Sequence, residues 1–236
     1  MSPTSDHWPS HEIRERLRPI QQITAERLQV GWQTTVPATL MTEVDARGLL
    51  SRRAHLAEKG VRPGLTAIIA TRLASVLARH PAVNCRIDGE DRVSWPGVNL
   101  GMAIAGAGTD LVVGVVRDAD RCDENEVSAR ISDLRDRAER RKLRPEDTRG
   151  AVVTLSSVGM MISGVFGTPV VPPDQTAVVL VSGMVDRPVV EGAELVVAPV
   201  LPISVTVDHR VVNGAAMSAF LNDFCTELGA TREKGD

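Results

Sequence analysis

The residues VTVDHRVVNG, at 205–214, deliver a single histidine, His209, from an apolar, β-branched run into a turn and a following helix-patterned stretch. Asn213-Gly214 marks the turn, and Phe220 and Phe224, four apart, mark one face of the helix. Groups that do chemistry often sit at such corners, where a rigid scaffold aims a loop. An imidazole there can accept and return a proton. The competing assignment is a buried structural histidine with its hydrogen bonds satisfied, and the position taken alone favours it. Other chemistry-bearing patterns are sparse. Cys85, Cys122 and Cys225 are widely separated and lack any Cys-x-x-Cys or Cys/His spacing, so they read as reduced structural thiols and no metal is expected. The chain has no Gly-x-Ser-x-Gly elbow and no Gly-x-x-x-x-Gly-Lys phosphate loop.

The spacing His-x-x-x-Asn-Gly resembles the His-x-x-x-Asp/Asn-Gly signature of the chloramphenicol acetyltransferase-like fold. The wider DHRVVNGA resembles the acyltransferase (E2) core of 2-oxo acid dehydrogenase complexes. The similarity continues in order through VNCRIDGEDRVSWPGVNLGMAIA, DLVVGVVRDAD, KLRPEDTRGAVVTLSSVGM and FGTPVVPPDQTAVVLVSG, covering most of residues 12–228. It implies a trimer whose active site lies between subunits, with the histidine from one chain and a serine from its neighbour. It also implies direct acyl transfer without an acyl-enzyme. His209 is then the general base that deprotonates the acceptor thiol or hydroxyl, and acetyl-CoA is the donor. The family's Thr-x-Ser motif matches Thr154-Leu155-Ser156 and makes Ser156 the donor to the oxyanion. Asn213 takes a supporting role, fixing the loop or the imidazole. Asp208 and Arg210 are expected to form a structural ion pair or interface contacts, and Gly214 to supply a positive φ or a close helix approach.

Two departures from the E2 pattern shape the expected function. No lipoyl or subunit-binding domain precedes the core, and the C-terminus reads GATREKGD in place of an apolar hook. These features predict a stand-alone, isolated homotrimer that carries no covalent lipoyl group. Its expected reaction is acetyl transfer to a small-molecule hydroxyl, as in enzymes that acetylate a tetronate ring. The alternatives are a dihydrolipoamide acyltransferase (E2) core and a non-catalytic trimeric scaffold. Ala38, and Gly114 where proline is frequent, suggest a reshaped substrate channel.

The elements that must position these residues form an α+β pattern. Strands and helices mix without regular βαβ alternation, which predicts a mixed β-sheet flanked by helices, a chloramphenicol acetyltransferase-like sandwich. Residues 12–32 read as an amphipathic helix kinked or broken at Pro19, and 34–44 as a strand interrupted by Pro37. Helices are expected at 46–59, 65–79, 124–142 and 215–228, and strands at 83–87, 98–104, 111–116, 151–155, 176–185 and 194–206. Turns are expected at Asp88-Gly89 and at the hairpin tip 106–109. Residues 1–10 and 230–236 read as unpacked tails around one catalytic domain at 11–229. The net charge of −3, the lack of tyrosine and an aromatic content of 3% exclude nucleic-acid binding by charge or by base stacking. No apolar run approaches the ~20 residues that cross a bilayer, and no secretory leader pattern opens the chain, so a cytoplasmic location without membrane association is expected.

Overall fold

The computed structural model describes residues 13–108 and 111–230. The expected N-terminal tail, residues 231–236 of the C-terminal tail and Thr109 of the hairpin tip lie outside them. The first helix, α1 (Pro19–Thr34), begins at Pro19 and is not kinked by it. A first-turn proline lacks only an N–H that would have no helical partner. Pro37 likewise opens β1 (Pro37–Asp45), a position where a missing donor is tolerated. Two helices follow, α2 (Arg47–Glu58) and the apolar α3 (Leu65–Leu77), and then a hairpin of β2 (Cys85–Asp88) and β3 (Asp91–Ser94) around Gly89 at φ +61. β4 (Leu100–Ala105) and β5 (Leu111–Val116) precede α4 (Glu124–Glu139), whose N-terminus is capped by the Asp123 carboxylate accepting from Glu126 N–H.

β6 (Val153–Ser157) and β7 (Ala177–Val181) come next, and then the hairpin of β8 (Val185–Glu191) and β9 (Glu194–Asp208), before α5 (Gly214–Gly229). The expected strand at 176–185 is divided here into β7 and the start of β8. β8 carries Asp186, Arg187 and Pro188 and is mostly exposed, so its apolar alternation is weak; proline fits an edge strand.

Among the described residues the main sheet has seven strands in the order β1-β9-β7-β6-β4-β5, with β8 paired to the first half of β9. β6 runs parallel to β4 and β7, and the other neighbours are antiparallel. This is the mixed α+β sheet that the sequence predicted. One face packs on α3 and α5 through Ile68, Leu73, Leu77, Phe220, Phe224 and Leu228, all with 2% exposure or less. The Phe220 and Phe224 rings are stacked with centroids 6.2 Å apart. Burying each ring is worth about 1.5–3 kcal/mol. Gly114 lies under α4, where a Cβ would stand 3.2 Å from methyls of Ile104 and Leu134. It governs how closely the helix sits on the sheet, so the expected effect on a substrate channel does not apply at this position.

The second half of β9 is buried on both faces. Ser204 and Thr206 alternate with the core-facing Ile203 and Val205 and so face away from α3 and α5. The irregular residues 158–175 cross that side: Gly167 N–H donates to Ser204 Oγ at 3.1 Å. The Thr206 and Thr39 hydroxyls bond at 2.8 Å.

Candidate active site

His209 follows β9 directly and is exposed, whereas the strand that carries it is buried through Asp208. Its backbone is fixed at a tight corner. His209 N–H donates to the Val36 carbonyl at 2.8 Å, and Asp208 N–H to the Thr176 carbonyl at 2.8 Å. Val211 and Val212 N–H both donate to the Asp208 carbonyl, turning the chain toward α5. An imidazole presented from such a corner is open to a substrate while its Cα has little freedom.

Asp208 is the anchor. The residue is 2% exposed, and its side chain accepts from Val36 N–H at 3.2 Å, Arg210 N–H at 3.1 Å, Arg210 Nε at 3.0 Å and Arg210 Nη2 at 2.6 Å. Burial works against its charge, but the hydrogen bonds from Arg210 and Val36 outweigh that cost and hold the carboxyl below the usual carboxylate range. The expected ion pair is therefore present, and it does more than pair charges. Asp208 ties the start of β1 to the turn after β9, which sequence reasoning did not foresee. The available signal was an acidic residue closing an apolar strand with an arginine two residues on.

Asn213 is the N-cap of α5, its Oδ1 accepting from Ala216 N–H at 2.9 Å. The amide therefore fixes the loop, one of the two supporting roles expected of it. Gly214 corrects its expectation: it has no positive φ, and a Cβ there would meet nothing within 4 Å. It is simply the first residue of α5.

Ser156 lies half-buried in β6, in register with Ala103 of β4 and Leu180 of β7. Ser157 points to the helix side, where its Oγ is 3.2 Å from the Thr66 hydroxyl. Alternation places Ser156 on the opposite side, with Thr154, whose hydroxyl donates to Gln175 Oε1 at 2.6 Å. Ser156 and His209 do not meet within one chain. Ser156 is level with Leu180 and hence with Ser204, five residues before the histidine. That is about 16 Å along the strand and about 10 Å across it. The three cysteines are free thiols whose titration burial pushes up. Among the described residues no group of three or more His, Cys, Asp or Glu is placed to hold a metal ion. No described helix is long and apolar enough to cross a membrane.

The fold recurs in known proteins. The pyruvate dehydrogenase complex dihydrolipoyllysine-residue acetyltransferase of Bacillus subtilis is 30% identical over 217 residues, 89% of this chain and 49% of its own length. The mitochondrial 2-oxoglutarate dehydrogenase dihydrolipoyllysine-residue succinyltransferase of Bos taurus is also 30% identical, over 89% of this chain and 47% of its own. This chain thus spans about half the length of the curated relatives it matches. A structure of Azotobacter vinelandii dihydrolipoamide acetyltransferase, solved to define the roles of a serine, a histidine and an asparagine in its catalytic mechanism, superposes with a TM-score of 0.89 at 26% identity, covering 96% of each chain. Chloramphenicol acetyltransferase shares the fold, with a TM-score of 0.54 at 14% identity over 86% of this chain and 94% of its own. The expectation of no covalent lipoyl group is overturned by the curated relatives, which are named for a dihydrolipoyllysine residue. Residues 9–232 match the 2-oxoacid dehydrogenases acyltransferase (catalytic domain) model, and the chain belongs to that family of acyltransferases.

Proposed function

We propose that this chain is a dihydrolipoamide acyltransferase core, exchanging an acyl group between a dihydrolipoyl thiol and coenzyme A across a boundary between two subunits. The observation that carries the reading is the rigid presentation of His209 at one end of the sheet with Ser156 level with the other. The two can act together only when they come from different chains. The acceptor thiol gives its proton to the imidazole of His209, and the thiolate attacks the acyl carbonyl carbon of the thioester. The Ser156 hydroxyl from the neighbouring chain donates to the tetrahedral oxyanion. Collapse breaks the original C–S bond, and the departing thiolate recovers the proton from the imidazolium.

Assembly is supported by the apolar surface that the single chain exposes. Met160, Met161, Val190, Leu195 and Val197 are each more than 70% exposed, and Trp32 is 62% exposed. A related structure is the cubic core of the pyruvate dehydrogenase multienzyme complex, with a TM-score of 0.89 at 27% identity. The finer expectation of acetyl transfer to a tetronate-type hydroxyl rests on no residue of this chain and yields to the thiol acceptor, which the dihydrolipoyllysine-residue acyltransferases among its relatives support. The test is coenzyme A release from acetyl-CoA with dihydrolipoamide and a primary alcohol as parallel acceptors. Dihydrolipoamide is expected to react, and His209→Ala to lose about 100-fold or more of the rate. Acetylation of the alcohol alone would reject the reading.

A further inference from the structure

Gly31 is the one buried residue of α1, and it lies where the helix meets the segment that leads into β7. A Cβ at this position would overlap the Val171 carbonyl oxygen and stand 3.3 Å from both the ring nitrogen and Cδ of Pro173. An unstrained contact needs about 3.5 Å, so with any larger residue one of the two bodies must retreat by about 1 Å. Segment 171–176 is poorly able to do so. Val171 is 1% exposed, Pro172 and Pro173 have fixed φ, Asp174 holds a turn at φ +68, and Gln175 Oε1 accepts the Thr154 hydroxyl at 2.6 Å. The helix is therefore the body that moves.

What the helix carries with it is the corner that presents His209. α1 ends at Thr34 and β1 begins at Pro37, so only Thr35 and Val36 join them. Thr35 returns to Gly31 itself, its N–H and its hydroxyl both donating to the Gly31 carbonyl, at 3.1 and 2.8 Å. Val36, kept out of helical geometry by the proline after it, uses both backbone groups on the corner. Its carbonyl accepts His209 N–H at 2.8 Å, and its N–H donates to Asp208 Oδ1 at 3.2 Å. From the other side Asp208 N–H donates to the carbonyl of Thr176, at the end of the same stiff segment. Gly31, Thr35, Val36, Asp208 and Thr176 thus close a ring of contacts around the backbone of the histidine. We infer that Gly31 is a positioning residue for His209: its missing side chain sets how deeply α1 sits on segment 171–176, and through Thr35 and Val36 that depth sets where the imidazole is presented. A shift of about 1 Å stretches the bond between His209 and Val36 beyond hydrogen-bonding range, and a misplacement of that size costs roughly 100-fold in rate. The functional half of the inference rests on the acyl-transfer reading, and the positional half does not.

Selective isotope labelling of the five histidines for NMR, with the His209 amide signal identified by its loss in His209→Gln, reads the corner without catalysis. Gly31→Ala is expected to move that signal and to lower kcat for acetyl transfer to dihydrolipoamide about 10- to 100-fold, with KM for acetyl-CoA within about twofold of wild type. Ala25→Gly is the comparison, because it loosens α1 at an exposed position and adds nothing to the contact with Val171; it should leave both the signal and kcat near wild type. Thr35→Val keeps the side-chain size and removes the hydroxyl bond to Gly31. It is expected to move the signal and to lower kcat about threefold, and it carries the test if Gly31→Ala does not fold. A His209 amide signal unmoved by Gly31→Ala or, where that chain does not fold, by Thr35→Val overturns the inference. So does a signal moved equally by Ala25→Gly, or a rise in KM at unchanged kcat. A wild-type chain that transfers nothing to dihydrolipoamide rejects the acyl-transfer reading alone, and the amide signal still decides the positioning.

Discussion

At the residue scale, the two adjacent serines of β6 set a proposed catalytic group beside a packing one. Ser156 and Ser157 differ by one position and face opposite sides of the sheet, and only Ser157 meets α3 through Thr66. Ser156→Ala is expected to lower kcat about 100- to 1,000-fold with little change in KM, while Ser157→Ala stays near wild type; steady-state kinetics on both variants checks this. Asp208 makes a second prediction. Because the folded chain holds this carboxyl below its unfolded value near 3.9, its contribution is complete above about pH 4 and is lost as pH falls through the lowered value. Asp208→Asn removes the charge that Arg210 and Val36 share, and should cost roughly 1.5–3 kcal/mol at neutral pH. Urea melts at pH 7 and pH 3 should show the gap between the proteins narrowing in acid.

At the scale of elements, the critical junction is β9–turn–α5. The strand is long, buried on both faces in its second half and paired with β1, β7 and β8, so its end cannot drift. The turn is held by Asp208, and the helix is started by Asn213. Asn213→Ala should cost about 1 kcal/mol through loss of the cap, and Asn213→Ser should recover most of it, because serine caps nearly as well. Thermal melts together with kinetics distinguish a capping role from a chemical one. If Asn213 acts only through the cap, Asn213→Ser restores rate and stability together. Its motif position was legible in the sequence, and the cap geometry was not, since an asparagine before a glycine reads as a turn until the helix it starts is seen.

At the scale of the whole molecule, the separation of His209 from Ser156 makes assembly part of the proposed chemistry. A His209→Ala chain and a Ser156→Ala chain are each expected to be inactive alone. Unfolded and refolded together in equal amounts, they should regain about a quarter of wild-type activity, because one interface in four joins an intact histidine to an intact serine in a ring of head-to-tail contacts. Activity of the mixture that does not exceed the sum of the separate chains would place both groups in one subunit's site.

The sequence by itself determined the family, the mixed α+β class, four of the five helices to within a few residues, and the identities of His209, Ser156 and Asn213 as candidates. Those features are local: they rest on short motifs, apolar periodicity and turn signals such as Asp88-Gly89. Only the tertiary structure decided that Pro19 starts a helix, that residues 176–191 are divided between two strands, that Gly114 serves helix packing, and that Asp208 anchors the turn that carries His209. Each of these depends on what lies opposite a residue across the sheet or beneath a helix, and contacts between positions as far apart as Val36 and Asp208 leave no periodic trace along the chain.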